Sequence, residues 1–229
     1  MSFVHLLYAL IAGILPSVIW FVFWNREDAD QPEPRGLLTM CFFGGVVAVI
    51  GAIFGEQYAA SHTTTEFAKY VSWASIEEVL KFLAVGIVAL RSRFYDEPID
   101  VMIYCIAVAL GFAALENTLF IMGPFSHGDV GAGLATGSMR FIGATLVHVV
   151  SAALVGFSLA VSFYKPMYVK ILSAIVGLCA AITLHASFNL SIITADGGDT
   201  LKTFGWVWLA VVIMIVLFEE IKNVKPHFA

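Results

Sequence analysis

The sequence predicts an all-α protein, a polytopic integral membrane bundle of about seven transmembrane helices. Of its 229 residues, 60% are hydrophobic and only 13% are charged, and the mean hydropathy is +0.90. About 20 apolar residues suffice to cross the hydrocarbon core of a bilayer, and the chain contains seven segments of that kind. Because they leave little sequence for a soluble domain, we expect residues 1–229 to form a single integral membrane domain.

The predicted spans are the apolar runs that remain between polar or proline-bearing segments. The first run lacks the basic residues before it and the cleavage site after it that mark a signal peptide, so we treat it as a span. Residues 27–34, which follow it, are acidic and poor in apolar groups, and they predict a solvated loop. The seven spans are expected at 4–24, 36–55, 71–90, 99–122, 139–163, 167–193 and 203–221.

Lysine and arginine residues beside the spans predict the orientation, because short cytoplasmic loops collect them. Eight fall on one side of the membrane and three on the other, which places the C-terminus in the cytoplasm and the N-terminus outside. The eight are Arg26, Arg35, Arg91, Arg93, Lys165, Lys170, Lys222 and Lys225. The three are Lys69, Arg140 and Lys202.

Four of the spans contain ionisable or amide side chains, which lipid excludes unless they serve a partner, a water cavity or a substrate path. Counted from the outer end of each span, five of these groups lie roughly 6 to 14 Å below the outer surface, at about 1.5 Å per residue: Glu77, Glu116, His148, His185 and Asn189. The shared depth predicts one site in the outer half of the membrane that water reaches from outside. The side chains are Glu77, Glu78, Lys81, Glu116, Asn117, His148, His185 and Asn189.

Helical spacing places some of these groups on common faces, because residues three or four apart are neighbours. Glu77 and Glu78 both reach Lys81, which would keep one carboxylate ionised and leave the other as a base. His185 and Asn189 are four residues apart and could donate two hydrogen bonds to one developing oxyanion. That combination is typical of acyl-transfer chemistry.

The same residues carry a resemblance to a known family. Residues 77–81 read EEVLK, residues 112–117 read FAALEN, His148 follows on the next span, and residues 185–189 read HASFN. This order resembles the PrsW family, whose pattern is EExxK, FxxxE, a histidine helix and a late HxxxN or HxxxD. Each motif alone is common, but four in order on four successive spans, over residues 70–190, are specific.

The resemblance implies an intramembrane endopeptidase of a bacterial-type plasma membrane whose substrate is typically a single-span anti-sigma factor. Glu116 stands where the distantly related CAAX prenyl proteases carry histidine, which favours the PrsW branch; a CAAX-type prenyl-protein endopeptidase stays an alternative. Carried over by motif, Glu77 would activate water, assisted by Glu116 or His148. His185 and Asn189 would stabilise the oxyanion, and Glu78 and Lys81 would orient the first carboxylate.

The sequence requires no cofactor, although a divalent metal such as zinc is an alternative. Two carboxylates and two histidines can hold zinc with an open position for water. The sequence lacks HExxH, and its spacing does not decide, so we give the metal-free base precedence. The candidate ligands are Glu77, Glu116, His148 and His185.

Other functions also fit part of the pattern. Buried glutamate and histidine groups equally suit a proton-coupled transporter or channel, but a relay would spread through the whole membrane depth, and the inner halves of these spans hold few such groups. A structural ion pair remains an alternative for Glu78 and Lys81, as does a core hydrogen bond for His148. Asn117 and Arg140 are expected to be structural. We expect the partners to be the bilayer and a membrane protein substrate, and no nucleic acid.

Overall fold

The computed structural model describes residues 3–27, 32–194 and 198–225. Over these residues it contains helices and no strand, which confirms the all-α prediction. The fifth predicted span is composite, because α5 and α6 are joined by one π-helical turn, Arg140–Ala144. The helices are α1 Phe3–Glu27, α2 Arg35–His62, α3 Glu66–Val88, α4 Asp100–Ser126, α5 Val130–Met139, α6 Thr145–Val161, α7 Met167–Thr194 and α8 Gly198–Ile221.

Six helical segments of the described chain are long and apolar enough to cross a membrane, which makes this a multi-pass membrane protein. They comprise α1, α2, α4, the continuous segment Val130–Val161, α7 and α8. The seventh predicted span corresponds to α3, which has 23 residues but carries Glu77, Glu78 and Lys81 in its middle. Those charges keep α3 below the apolar composition of the other six. It packs against α2 and α7, so the bundle shields its polar face.

Helix α4 lies at the centre of the bundle and packs against α1, α2 and α6. Glycines allow these helices to approach backbone to backbone. A Cβ atom at Gly45 of α2 would overlap the Val108 carbonyl oxygen, and one at Gly111 of α4 would overlap that of Phe42. A Cβ atom at Gly156 of α6 would lie 2.7 Å from the Met102 Cα atom. Small residues at such contacts give membrane helices their packing energy.

Two expectations about segment limits were wrong. The fifth span begins at Val130 rather than at 139, because the small, uncharged residues of α5 extend it and Asp129 caps it by accepting the Ala132 N–H at 2.8 Å. In the acidic segment 27–34, residues 28–31 lie outside the described residues. Glu33 is buried instead of solvated, and it contacts the Tyr104 hydroxyl.

Candidate active site

The polar residues of the four spans meet at a cavity of about 340 Å³. Every helix from α2 to α8, including the π-helical turn, contributes to its wall. One end is polar, and the rest is lined by aromatic and aliphatic side chains such as Trp73, Phe120 and Phe188. Of the predicted site residues, the cavity wall includes Glu77, Glu116, His148, His185 and Asn189.

Glu77, His148 and His185 form the centre of the polar end. One ligand atom from each lies within 4.8 Å of the other two, and all three side chains are buried. The Glu77 Oε2 atom is 3.8 Å from His148 Nδ1 and 3.9 Å from His185 Nε2. This oxygen is buried and has no hydrogen-bond partner among the described residues. A buried carboxylate oxygen without a partner is costly, and a water or a metal ion bound at this centre would satisfy it.

Glu78 and Lys81 lie directly behind this centre, on the same face of α3. His185 Nδ1 is 2.7 Å from Glu78 Oε1 and therefore carries the hydrogen of that bond, since a carboxylate only accepts. Lys81 Nζ donates to the same oxygen at 2.6 Å and to His148 Nδ1 at 3.1 Å. Glu78 thus orients His185 with Nε2 towards Glu77. Lys81 balances the Glu78 charge, and Phe112 lies beside its ammonium group.

Glu116 lies on the other side of His148. The His148 Nε2 atom is 2.9 Å from Glu116 Oε2, and Arg140 forms an ion pair with the same carboxylate. Asn117 joins Arg140 to the start of α6. Its Oδ1 accepts from Arg140 Nε at 2.5 Å, and its Nδ2 donates to the Thr145 hydroxyl at 2.9 Å. Asn117 and Arg140, expected only to be structural, therefore hold a cavity carboxylate in place.

The π-helical turn explains why Arg140 reaches Glu116. A π-turn inserts one residue into the ladder of helical hydrogen bonds and rotates the helix before the turn relative to the helix after it. Such turns are frequent at functional sites. Here the Thr145 hydroxyl donates to the Arg140 carbonyl oxygen at 3.0 Å, which satisfies a backbone group of the widened turn. The sequence offers no signal for this turn beyond Gly143 and Ala144 in an apolar stretch.

Glu56 of α2 also lines the cavity, although no motif in the sequence points to it. The sequence offers only a lone carboxylate near the C-terminal end of an apolar helix. Asn189 lies one turn after His185 on α7, as its spacing predicts, and borders the same cavity.

Comparison with known proteins decides the family. Residues 33–219 match the family described as PrsW family intramembrane metalloprotease. The chain belongs to the PrsW family. The resemblance inferred from the four motifs is thereby confirmed, and with it the assignment as a membrane-embedded peptidase.

Curated PrsW relatives cover most of this chain. Protease PrsW of Bacillus subtilis (strain 168) is 24% identical over 216 residues, which cover 93% of this chain and 92% of the relative. Protease PrsW of Geobacillus kaustophilus (strain HTA426) is 30% identical over 162 residues, or 69% and 66% of the two chains. Protease PrsW of Shouchella clausii (strain KSM-K16) is 22% identical over 79% of this chain and 81% of the relative. No solved structure matches the chain.

The PrsW family name implies a metal, and the central residues fit one. Zinc accepts carboxylate oxygen and imidazole nitrogen at about 2.0 to 2.2 Å, which places two ligands of one ion roughly 3.4 Å apart. The Glu77 oxygen is slightly farther than this from both histidines, and it has no other described partner. The bond from His185 to Glu78 is the kind of support that metal-bound histidines receive. At His148 Nδ1, a metal would replace the contact with Lys81, which keeps its bond to Glu78.

Proposed function

We propose that this chain is an intramembrane endopeptidase that hydrolyses a peptide bond of a membrane-anchored protein near the extracytoplasmic face. The observation that carries the proposal is the buried Glu77 oxygen without a described partner, facing two histidines at the polar end of a cavity. Hydrolysis needs an activated water, and a carboxylate that lacks a protein donor is available to bind one and take its proton.

In the proposed reaction, Glu77 Oε2 takes a proton from the bound water while the oxygen of that water attacks the peptide carbonyl carbon. The carbonyl π electrons move to oxygen and form a tetrahedral oxyanion. When the oxyanion collapses, the C–N bond breaks and the proton held by Glu77 passes to the leaving nitrogen. The products are a carboxylic acid and an amine.

His185 and Asn189 are proposed to stabilise the oxyanion. His185 Nδ1 carries the hydrogen that bonds to Glu78, so Nε2 is the nitrogen that faces the centre, and it donates to an oxyanion when the ring carries both hydrogens. Glu116 and Arg140 hold His148 in position. This assigns Glu78 to orienting His185, whereas the family motif alone had suggested that it orients Glu77.

Glu77, His148 and His185 are the residues that would hold a metal. A metal bound there supplies a Lewis acid that polarises the water and the peptide carbonyl. If Glu77 were a ligand, Glu116 would be the carboxylate of this centre available as a base.

The proposed substrate is a single-span membrane protein, with an anti-sigma factor as the class that the PrsW resemblance implies. The proposed face follows from the lysine and arginine distribution, which puts the outer ends of α3 and α7 on the extracytoplasmic side. The cleaved bond would then lie in the substrate's outer juxtamembrane segment.

Cleavage in proteoliposomes tests this proposal. A panel of tagged single-span membrane proteins is incubated with the wild type, with Glu77→Gln and with Glu220→Gln, an exposed carboxylate on α8 that gives a matched loss of charge. We expect the wild type and Glu220→Gln to cleave and Glu77→Gln to be inactive while remaining folded. Chelator treatment followed by zinc then separates a metal-dependent reaction from a metal-free one.

Two results would overturn the proposal. One is full activity of Glu77→Gln, because the water would then be activated elsewhere. The other is the absence of any cleavage together with proton flux that depends on Glu77, which would indicate a transporter.

A further inference from the structure

Glu56 is the carboxylate of the cavity for which the proposed reaction has no role. Its side chain is half-buried near the outer end of α2. Trp73 of α3 donates its indole N–H to the Glu56 carbonyl oxygen at 3.0 Å, which fixes the backbone of α2 beside the cavity. Glu56 therefore belongs to the ordered wall of the site.

No positive charge among the described residues pairs with Glu56. The groups that act on it are both carboxyl groups, Glu116 through its like charge and Glu77 through a side-chain hydrogen-bonding contact. Among the described residues that line the cavity, Arg140 is the only lysine or arginine, and it pairs with Glu116. Glu56 has no ion pair in the described part of the chain, and it is not one of the three clustered candidate metal ligands. A half-buried carboxylate in an apolar wall is stabilised by an opposite charge.

Glu56 also lies where an apolar groove joins the cavity of the candidate active site. A groove of about 260 Å³ lies between α2 and α4 and shares Glu56, Glu116 and Phe120 with the cavity. Its remaining wall is apolar and includes Val49 and Leu119. A polypeptide that reaches Glu77 from the α2 and α4 side of the bundle passes Glu56 at the entrance.

We propose that Glu56 is a specificity-determining residue that binds a lysine or arginine side chain of the substrate close to the bond that is cleaved. This inference rests on the proposed function. The long stem of a lysine or arginine lies along apolar surface while its charged end reaches a polar group. The groove offers apolar surface for the stem, and Glu56 offers a carboxylate for the charged end.

A substrate pair tests the assignment. Two versions of one tagged single-span membrane protein that the wild type cleaves differ only in a lysine or a glutamine near the cleaved bond. We expect the wild type to cleave the lysine version about tenfold faster, as close charge pairs across an interface permit. The ratio of the two rates does not depend on the amount of folded enzyme.

Variants at Glu56 then identify the partner of that lysine. We expect Glu56→Gln to bring the ratio near one, and Glu56→Lys to favour a third substrate version with glutamate at the same position. Glu220→Gln, which removes one carboxylate at the far end of α8, should keep the wild-type ratio.

The outcomes separate this inference from the proposed function. If the wild type cleaves no membrane protein, the proposed function fails. If it cleaves but no position around the bond shows a lysine or arginine preference, or if Glu56→Gln keeps that preference, the assignment of Glu56 is wrong. Complete inactivity of a folded Glu56→Gln also contradicts it, because a specificity residue is not required for the chemistry.

Discussion

Glu78 does not face the cavity, and its contact with the candidate site is its hydrogen bond to His185. The His185 Nδ1 hydrogen is held by Glu78, so Nε2 is the atom presented to Glu77. Lys81 balances the charge of Glu78, which allows this carboxylate to stay ionised although only 1% of the residue is exposed. The two consecutive glutamates of the motif therefore lie in different places, one at the centre and one behind a histidine.

Metal binding by the centre can be measured apart from catalysis. We expect purified protein to bind zinc stoichiometrically and Glu78→Gln to weaken zinc affinity by about 10 to 100-fold, because His185 loses its orienting partner. Zinc content and competition with a chelator give the affinity, with Glu220→Gln as the control. Unchanged zinc affinity in folded Glu78→Gln would contradict the role given to Glu78.

A second residue-scale prediction concerns Glu33, which lies in the loop before α2. The Tyr104 hydroxyl is 2.9 Å from the Phe94 carbonyl oxygen and also contacts the Glu33 carboxyl group. A hydroxyl has a single hydrogen. Both contacts are hydrogen bonds only when Glu33 is protonated and donates to Tyr104. Burial raises the pKa of Glu33 above its usual 4.5 and outweighs the hydrogen bonds with Tyr104 and Asp100, which lower it, and the charges of Asp96 and Glu97 add to the rise.

The raised pKa fixes the sign of a pH effect on stability. The folded protein keeps the Glu33 proton at pH values where the unfolded chain has lost it, so this group stabilises the fold at low pH. The stabilisation is lost as pH rises from about 4.5 through the raised pKa. We expect Glu33→Gln, which stays neutral, to flatten this part of the pH dependence of thermal unfolding in detergent. An identical slope in wild type and variant would contradict the buried, protonated state.

At the scale of helices, close packing determines where the polar groups meet. The contact at Gly45 and Gly111 brings α2 against α4 near the middle of the two helices, and the groove beside Glu56 and Glu116 opens closer to their C-terminal ends. The π-helical turn adds the rotation that points Arg140 at Glu116. Helical spacing predicted the neighbours within one helix, such as Glu78 and Lys81, because that geometry is local. It could not predict the π-helical turn or the α4 partner of Arg140, because these depend on tertiary packing.

The close contact at Gly111 predicts that a glycine-to-alanine substitution changes stability there but not at Gly86. Gly111→Ala places a methyl group on the Phe42 backbone, which has no side-chain freedom to move away, and should lower the free energy of unfolding by about 1 to 3 kcal/mol. Gly86→Ala on α3 meets nothing within 4 Å and should be neutral or stabilising. Thermal unfolding in detergent compares them. Equal stability of the two variants would argue against backbone contact between α2 and α4.

For the whole molecule, the distribution of polar groups along the chain predicted where the cavity lies. The common depth of Glu77, Glu116, His148 and His185 was visible in the sequence, because each could be counted from the end of its own span. Their meeting at one cavity follows that prediction. Glu56 was missed because a single carboxylate has no periodic partner, and the burial of Glu33 was missed because composition alone suggests a solvated loop. Both depend on contacts between segments far apart in the chain.

The most direct test of the central claim is to map the cleaved bond. A tagged single-span membrane protein is reconstituted with the wild type or with Glu77→Gln, and the new termini are identified by mass spectrometry. We expect the wild type to produce a cut in the outer juxtamembrane segment and Glu77→Gln to produce none. A cut on the cytoplasmic side would contradict the proposed orientation, and the same cut made by Glu77→Gln would contradict the site itself.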